Sequence, residues 1–176
     1  MPLPRKKDAG TSGAPVLDLS RAHVKLTNVE EYTEPFQVTR KSDGTTLMLD
    51  PQFKCPVEVI DDGEDGTDNG ATFYEAFKYK QDKSGQWINQ ENSKLGALTL
   101  VAKPGYFEVT SIPDLTKEDL EDFEMRCRIK PKKNPTTGAV LGSTIDWETM
   151  QRLPDKLVAV AAEEDEEDAD FDDIPF

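Results

Sequence analysis

Histidine occurs once in this chain of 176 residues, as His23, and cysteine twice, as Cys55 and Cys127. With no second histidine and no recognisable motif beside either thiol, a nucleophile and base pair has nothing to be built from, so no enzymatic reaction is expected. Two cysteines so far apart form neither a disulfide framework nor a zinc motif; they read as buried thiols in a reducing, cytoplasmic setting. No apolar stretch is long enough to cross a membrane. The start carries Arg5, Lys6 and Lys7 followed by small residues, without the apolar segment of a secretory signal. There is no Gly-Lys-Ser or Gly-Lys-Thr loop to cradle phosphates, which argues against nucleotide hydrolysis. The acid-rich loop 61–68 fails the calcium-loop pattern, because the third position counted from Asp61 is Gly63 and the twelfth is Thr72. Neither a metal nor any other cofactor is expected.

A positive excess is missing too: the formal net charge is −14. Its location matters more than its sum. Nine acids crowd into the stretch from Glu163 to Asp173 with no basic residue among them, and Asp61, Asp62, Glu64, Asp65 and Asp68 form a second cluster. The rest of the chain is near neutral, and a near-neutral domain with a clustered basic face binds phosphates through its local field.

Three regions follow from composition: a flexible N-terminal arm over 1–20, one domain over 21–155, and an acidic tail over 156–176 expected to stay disordered and solvated. The tip of that tail differs from the rest. Ile174, Pro175 and Phe176 set two apolar side chains and a stiffening proline after Asp172 and Asp173, a combination suited to a shallow apolar pocket flanked by a basic residue. An acidic run closing on Asp172-Asp173-Ile174-Pro175-Phe176 resembles the C-terminal tip of bacterial single-stranded DNA-binding proteins. The resemblance covers about a dozen residues and implies recruitment of replication, recombination or repair enzymes through the tip.

Beta signals dominate the body. Strands are expected at 24–29, 35–40, 46–49, 53–60 and 72–80, with 61–70 as a hairpin connection. Asn92 or Ser93 is placed to cap a helix running to about Lys103, stopped by Pro104-Gly105, and Thr116 to Asp119 has the spacing of a capping box. A final hairpin pairs 123–130 with 142–147. Together these predict a mainly β fold, a five-stranded oligonucleotide-binding barrel with one inserted helix and long hairpin loops; a β-sandwich is the competing architecture. The stretch from Gly70 to Phe77, with Trp87 and Ser93-Lys94-Leu95-Gly96 further on, is similar in order to phage-encoded single-strand binders built on one such barrel. The opening glycine-containing strand of the bacterial domain has no counterpart here, which leaves a homo-oligomer open but removes the reason to expect that family's tetramer.

Single-strand binders combine a basic groove with aromatic faces for base stacking. In 123–130, alternation sends Phe123, Met125, Cys127 and Ile129 inward and Arg126, Arg128 and Lys130 outward, followed by Lys132 and Lys133. In 72–80 the outward face carries Tyr74, Lys78 and Lys80, with Tyr74 the first stacking candidate. Trp87 is balanced between stacking and packing, whereas Trp147, between Asp146 and Glu148, is expected in the core. The expectation is a cytoplasmic single-stranded DNA-binding protein, bacterial or phage-encoded, that coats exposed strands in replication, recombination or repair. The rival is an acidic adaptor or DNA mimic that holds a replication enzyme without touching nucleic acid.

Overall fold

The computed structural model describes residues 15–154. The expectations for the acidic tail and its tip, and for most of the N-terminal arm, fall outside the described residues. Ten strands and two helices follow in chain order: β1 (Leu19–Leu26), β2 (Glu30–Tyr32), β3 (Phe36–Thr39), β4 (Thr46–Leu49), β5 (Gln52–Asp61), β6 (Thr72–Lys78), β7 (Lys80–Gln81), β8 (Trp87–Ile88), α1 (Lys94–Ala102), α2 (Lys117–Leu120), β9 (Glu124–Lys133) and β10 (Val140–Arg152). The fold is mainly β and its strand pairs are antiparallel.

In the principal sheet β10 pairs with β9, β9 with β1, β1 with β5, and β5 with β6; β2 joins β5 on the edge that β1 uses further along. Alternation builds the core. Val24 and Leu26 of β1, Phe53, Cys55, Val57 and Val59 of β5, Phe73 and Phe77 of β6, and Met125, Cys127 and Ile129 of β9 are all buried, each large apolar side chain contributing roughly 1.5–3 kcal/mol by leaving water. Trp147 packs against this core, as does Phe123. The core also begins earlier than position 21, since Leu17 and Leu19 are buried and the Leu17 amide donates to Ser143 Oγ at 2.8 Å.

Between β6 and β10 no backbone ladder forms among the described residues, and a side chain bridges the gap. Glu75 of β6, buried, accepts from the Ile145 amide at 2.7 Å and from Thr144 Oγ1 at 2.9 Å, both on β10. Its carboxylate is also ion-paired with Lys94 at the start of α1. That helix packs against β6 and β10 and covers this seam. Ser93 is its N-cap and accepts from the Gly96 amide at 3.0 Å. Glycine is required at position 96: an added Cβ would stand 2.2 Å from the Gln90 carbonyl oxygen and 2.3 Å from that of Glu91. Thr116 and Asp119 close the expected capping box at α2.

Several strand boundaries differ from the sequence expectation: β1 begins at Leu19, β9 runs on to Lys133 and β10 covers Val140–Arg152, and two further differences have a local cause. The first strand ends at Leu26 because Asn28 turns the chain at a positive φ of 47°, with Glu121 accepting from the Asn28 and Val29 amides. The strand expected over 72–80 stops at Lys78. Tyr79 still donates its amide to the Pro51 carbonyl and tilts its ring against Phe53, centroids 5.9 Å apart, but Pro51 has no N–H to return the bond, and Lys80 belongs to the separate β7–β8 pair. No helix among the described residues is long and apolar enough to cross a membrane.

Candidate nucleic-acid interface

The β5–β6 register sets Pro56 opposite Tyr74, Lys54 opposite Ala76 and Gln52 opposite Lys78. Since Phe53, Cys55, Phe73 and Phe77 fill the core, the alternate residues Lys54, Tyr74 and Lys78 face outward together. Lys54 is the diagonal neighbour of Tyr74, and its Nζ lies 5.7 Å from the ring centroid, within cation–π range. Tyr74 is 70% exposed, a high value for so large a ring and one that packing does not explain.

The β9–β10 hairpin delivers a further cation to the same place. Lys132, opposite Gly142 on that hairpin, lines a cleft of about 330 Å³ together with Lys54, Tyr74, Lys78 and Lys94. A wider cleft of about 690 Å³ runs past Pro56, Thr72, Phe73 and Ser143 and shares Tyr74 and Lys132 with the first. The tyrosine and Lys132 therefore border both openings.

The four lysines are not equivalent. Lys94 is held at the cleft floor by Glu75, by Thr144 Oγ1 at 3.2 Å and over the Phe77 ring at 5.4 Å. Burial pushes its ammonium below the ordinary lysine value, opposed by the Glu75 charge and reinforced by Lys132 and Lys130. It is structural first. Lys54, Lys78 and Lys132 have no acidic partner within ion-pair distance among the described residues. An exposed ring face with three uncommitted ammonium groups around it suits a nucleobase with its flanking phosphates.

The structure thus brings together Tyr74, Lys78 and Lys132 of the sequence candidates. Arg126, Arg128 and Lys130 do project outward from β9, but Arg126 opens into other clefts, beside Arg21 and His23. Arg128 lies 3.7 Å from Asp18, and Lys130 lies 4.0 Å from Asp146. Lys133 is exposed opposite Val140. Lys80 and Trp87 stand apart on the β7–β8 pair, opposite Ile88 and Gln81 respectively, and Trp87 is half-buried; the break at Tyr79 removes Lys80 from the Tyr74 face.

Sequence reasoning passed over Lys54 and Lys94. Lys54 carried a usable signal, since it shares with Pro56 and Glu58 the outward face of the most regularly alternating strand. For Lys94 the local sequence shows only a residue after a helix cap.

The acid-rich loop is organised around its own carboxylate. Asp62 accepts from the amides of Glu64, Gly66 and Asp68 at 2.8–3.0 Å, and these bonds hold its pKa below the usual aspartate value. No group of three or more His, Cys, Asp or Glu side chains that could hold a metal occurs among the described residues. No protein-family model and no curated protein matches the chain.

Proposed function

We propose that this chain is a non-enzymatic single-stranded DNA-binding protein whose groove is the β5–β6 face and the β9–β10 hairpin. The observation that carries the proposal is Tyr74, an exposed ring between two clefts with Lys54, Lys78 and Lys132 uncommitted around it. Bases stack on Tyr74 and phosphates lie on the lysines, without reading sequence, because every base has a π-face.

The connectivity supports the same reading. Taken as β1, β5, β6, α1, β9 and β10, the principal elements place one helix between the third and fourth strands, with the fourth and fifth strands continuing from the first. This is the order of an oligonucleotide-binding barrel, a fold that uses its second and third strands and the hairpin between the last two for ligand. Here those are β5, β6 and the hairpin bearing Lys132.

Around that groove the protein coats exposed strands in replication, recombination or repair. The acidic segment 163–173 with Ile174-Pro175-Phe176 recruits partner enzymes. As a tethered polyanion it also competes with DNA for the lysines at high local concentration.

Fluorescent oligothymidine, titrated with the full chain and with a version ending at Ala162 at low and moderate salt, tests this. Submicromolar binding that weakens with salt and tightens on truncation is expected. Three lysine–phosphate contacts give a slope of log affinity against log salt of roughly −2, at about 0.7 per contact on a single strand. Absence of binding in both versions would leave an acidic adaptor in its place.

A further inference from the structure

The outward face of β9 carries Arg126, Arg128, Lys130 and Lys132 at alternate positions. At the usual strand rise these span about 20 Å from first to last. Lys132, at one end, borders the Tyr74 groove. Arg126, at the other, lines two further clefts of about 280 and 350 Å³, and Arg21 of β1 lines both with it.

The fold holds these two arginines side by side. The β1–β9 register shifts between Leu19 and Ala22, and Arg21 lies in that irregular stretch, one residue before the Ala22–Cys127 pair. The β5–β6 loop then braces its backbone: a Cβ on Gly63 would stand 2.3 Å from the Arg21 carbonyl oxygen.

The neighbouring acids each have a partner other than Arg21 and Arg126, although Asp61 lines the smaller cleft with them and keeps its charge. Glu124 meets His23 Nε2 at 2.7 Å, Asp18 lies 3.7 Å from Arg128, and Asp61 accepts from the Gly63 amide at 2.9 Å. Arg21 and Arg126 themselves have no ion-pair or hydrogen-bond partner for their guanidinium groups among the described residues. Two guanidinium-bearing residues that line the same two clefts concentrate positive charge there, and one half-buried as Arg126 is loses hydration. A phosphodiester relieves both costs by accepting paired hydrogen bonds from the planar forks. No Phe, Tyr or Trp lines either cleft, so nothing there stacks a base.

We propose that Arg21 and Arg126 form a second, stacking-free phosphate site that takes the backbone of the same single strand as it leaves the Tyr74 groove along Lys132, Lys130 and Arg128. This rests on the proposed single-strand function and lengthens the occluded site beyond the groove. Its occupancy depends on strand length, which sets it apart from the Tyr74 groove.

The test compares the full-length protein with its Arg21→Gln/Arg126→Gln version on oligothymidines of about six and about twenty nucleotides, lengths that fall within and beyond one barrel's usual site. The short oligonucleotide is expected to bind both proteins alike, which also shows that the variant is folded. The long one is expected to lose about tenfold at about 50 mM salt, with the salt slope reduced by about 1.4 for two lost phosphate contacts. Equal losses at both lengths, or none at either, would overturn the extended path while leaving the Tyr74 groove standing. A variant that keeps all DNA binding but loses a peptide of residues 163–176 would assign the patch to acidic protein and overturn it as well. Wild-type protein that binds neither length removes the groove and the path together.

Discussion

Replacing Glu75 with alanine tests the device that joins β6 to β10. The carboxylate is 6% exposed and serves Lys94, Thr144 and the Ile145 amide at once. Its removal leaves the Ile145 N–H without an acceptor, a loss of about 1–3 kcal/mol, and leaves the mostly buried Lys94 ammonium without its counterion, where breaking a buried pair costs about 3–5 kcal/mol. Both effects act through one carboxylate and overlap, so about 4 kcal/mol is expected for the whole. For a chain of this size that lowers Tm by about 10 °C, at roughly 2–4 °C per kcal/mol. Urea denaturation of Glu75→Ala, Lys94→Ala and a Glu75→Leu/Lys94→Leu double variant reads the coupling. The double variant should recover much of the loss, because apolar replacement of a buried pair is often close to neutral. Without Glu75 the Lys94 pKa falls further below its ordinary 10.5. The folded state then binds fewer protons than the unfolded state just below that pH, so the stability of Glu75→Ala rises as pH increases through this window. A Glu75→Ala protein within about 0.5 kcal/mol of wild type would refute the assignment of Glu75 as the seam.

Gly96→Ala should lower stability by about 1–3 kcal/mol through overpacking against the Gln90 and Glu91 carbonyls, despite alanine's better helix propensity; a raised Tm would show that this approach is not tight. Cys55 and Cys127, whose thiols burial pushes up to about 12 from 9.0, should resist a thiol reagent in the native protein and react on unfolding. Above pH 9 the folded state therefore holds more protons than the unfolded state, so these thiols make stability fall with rising pH between 9 and about 12, by up to roughly 4 kcal/mol each at 1.36 kcal/mol per unit. A Cys55→Ala/Cys127→Ala protein should lose that part of the pH dependence, measured as the shift in urea midpoint.

Strand 123–130 was legible because its apolar residues fall at every second position with no glycine or proline to interrupt them, and Met125, Cys127 and Ile129 are indeed inside. Ser93 and the Thr116–Asp119 pair were legible because a cap is local chemistry within one turn. What alternation cannot carry is register. The meeting of Tyr74 with Lys54 depends on Pro56 standing opposite Tyr74, and that of Tyr74 with Lys132 on the course of a hairpin. Glu75 has the parity of Phe73 and Phe77, yet alternation alone names no lysine that would let a carboxylate stay in the core. Arg126 had the correct outward face, yet a basic stripe read as one groove spans two separate ones. Tyr79 continued the pattern of β6, and its amide still reaches Pro51 in the β5–β6 register, but that proline has no N–H to return the bond and the ladder stops there.

The measurement that tests the central claim most directly is photocrosslinking of the full chain to bromodeoxyuridine-substituted oligothymidine, with the attachment site located by mass spectrometry. The account predicts attachment at Tyr74, reduced in a folded Lys132→Gln control only as far as affinity falls and abolished in Tyr74→Ala, whose affinity should drop by about 1–3 kcal/mol, the worth of one stacked base. Attachment centred on Trp87 and the β7–β8 pair, with Tyr74→Ala binding as wild type, would contradict it.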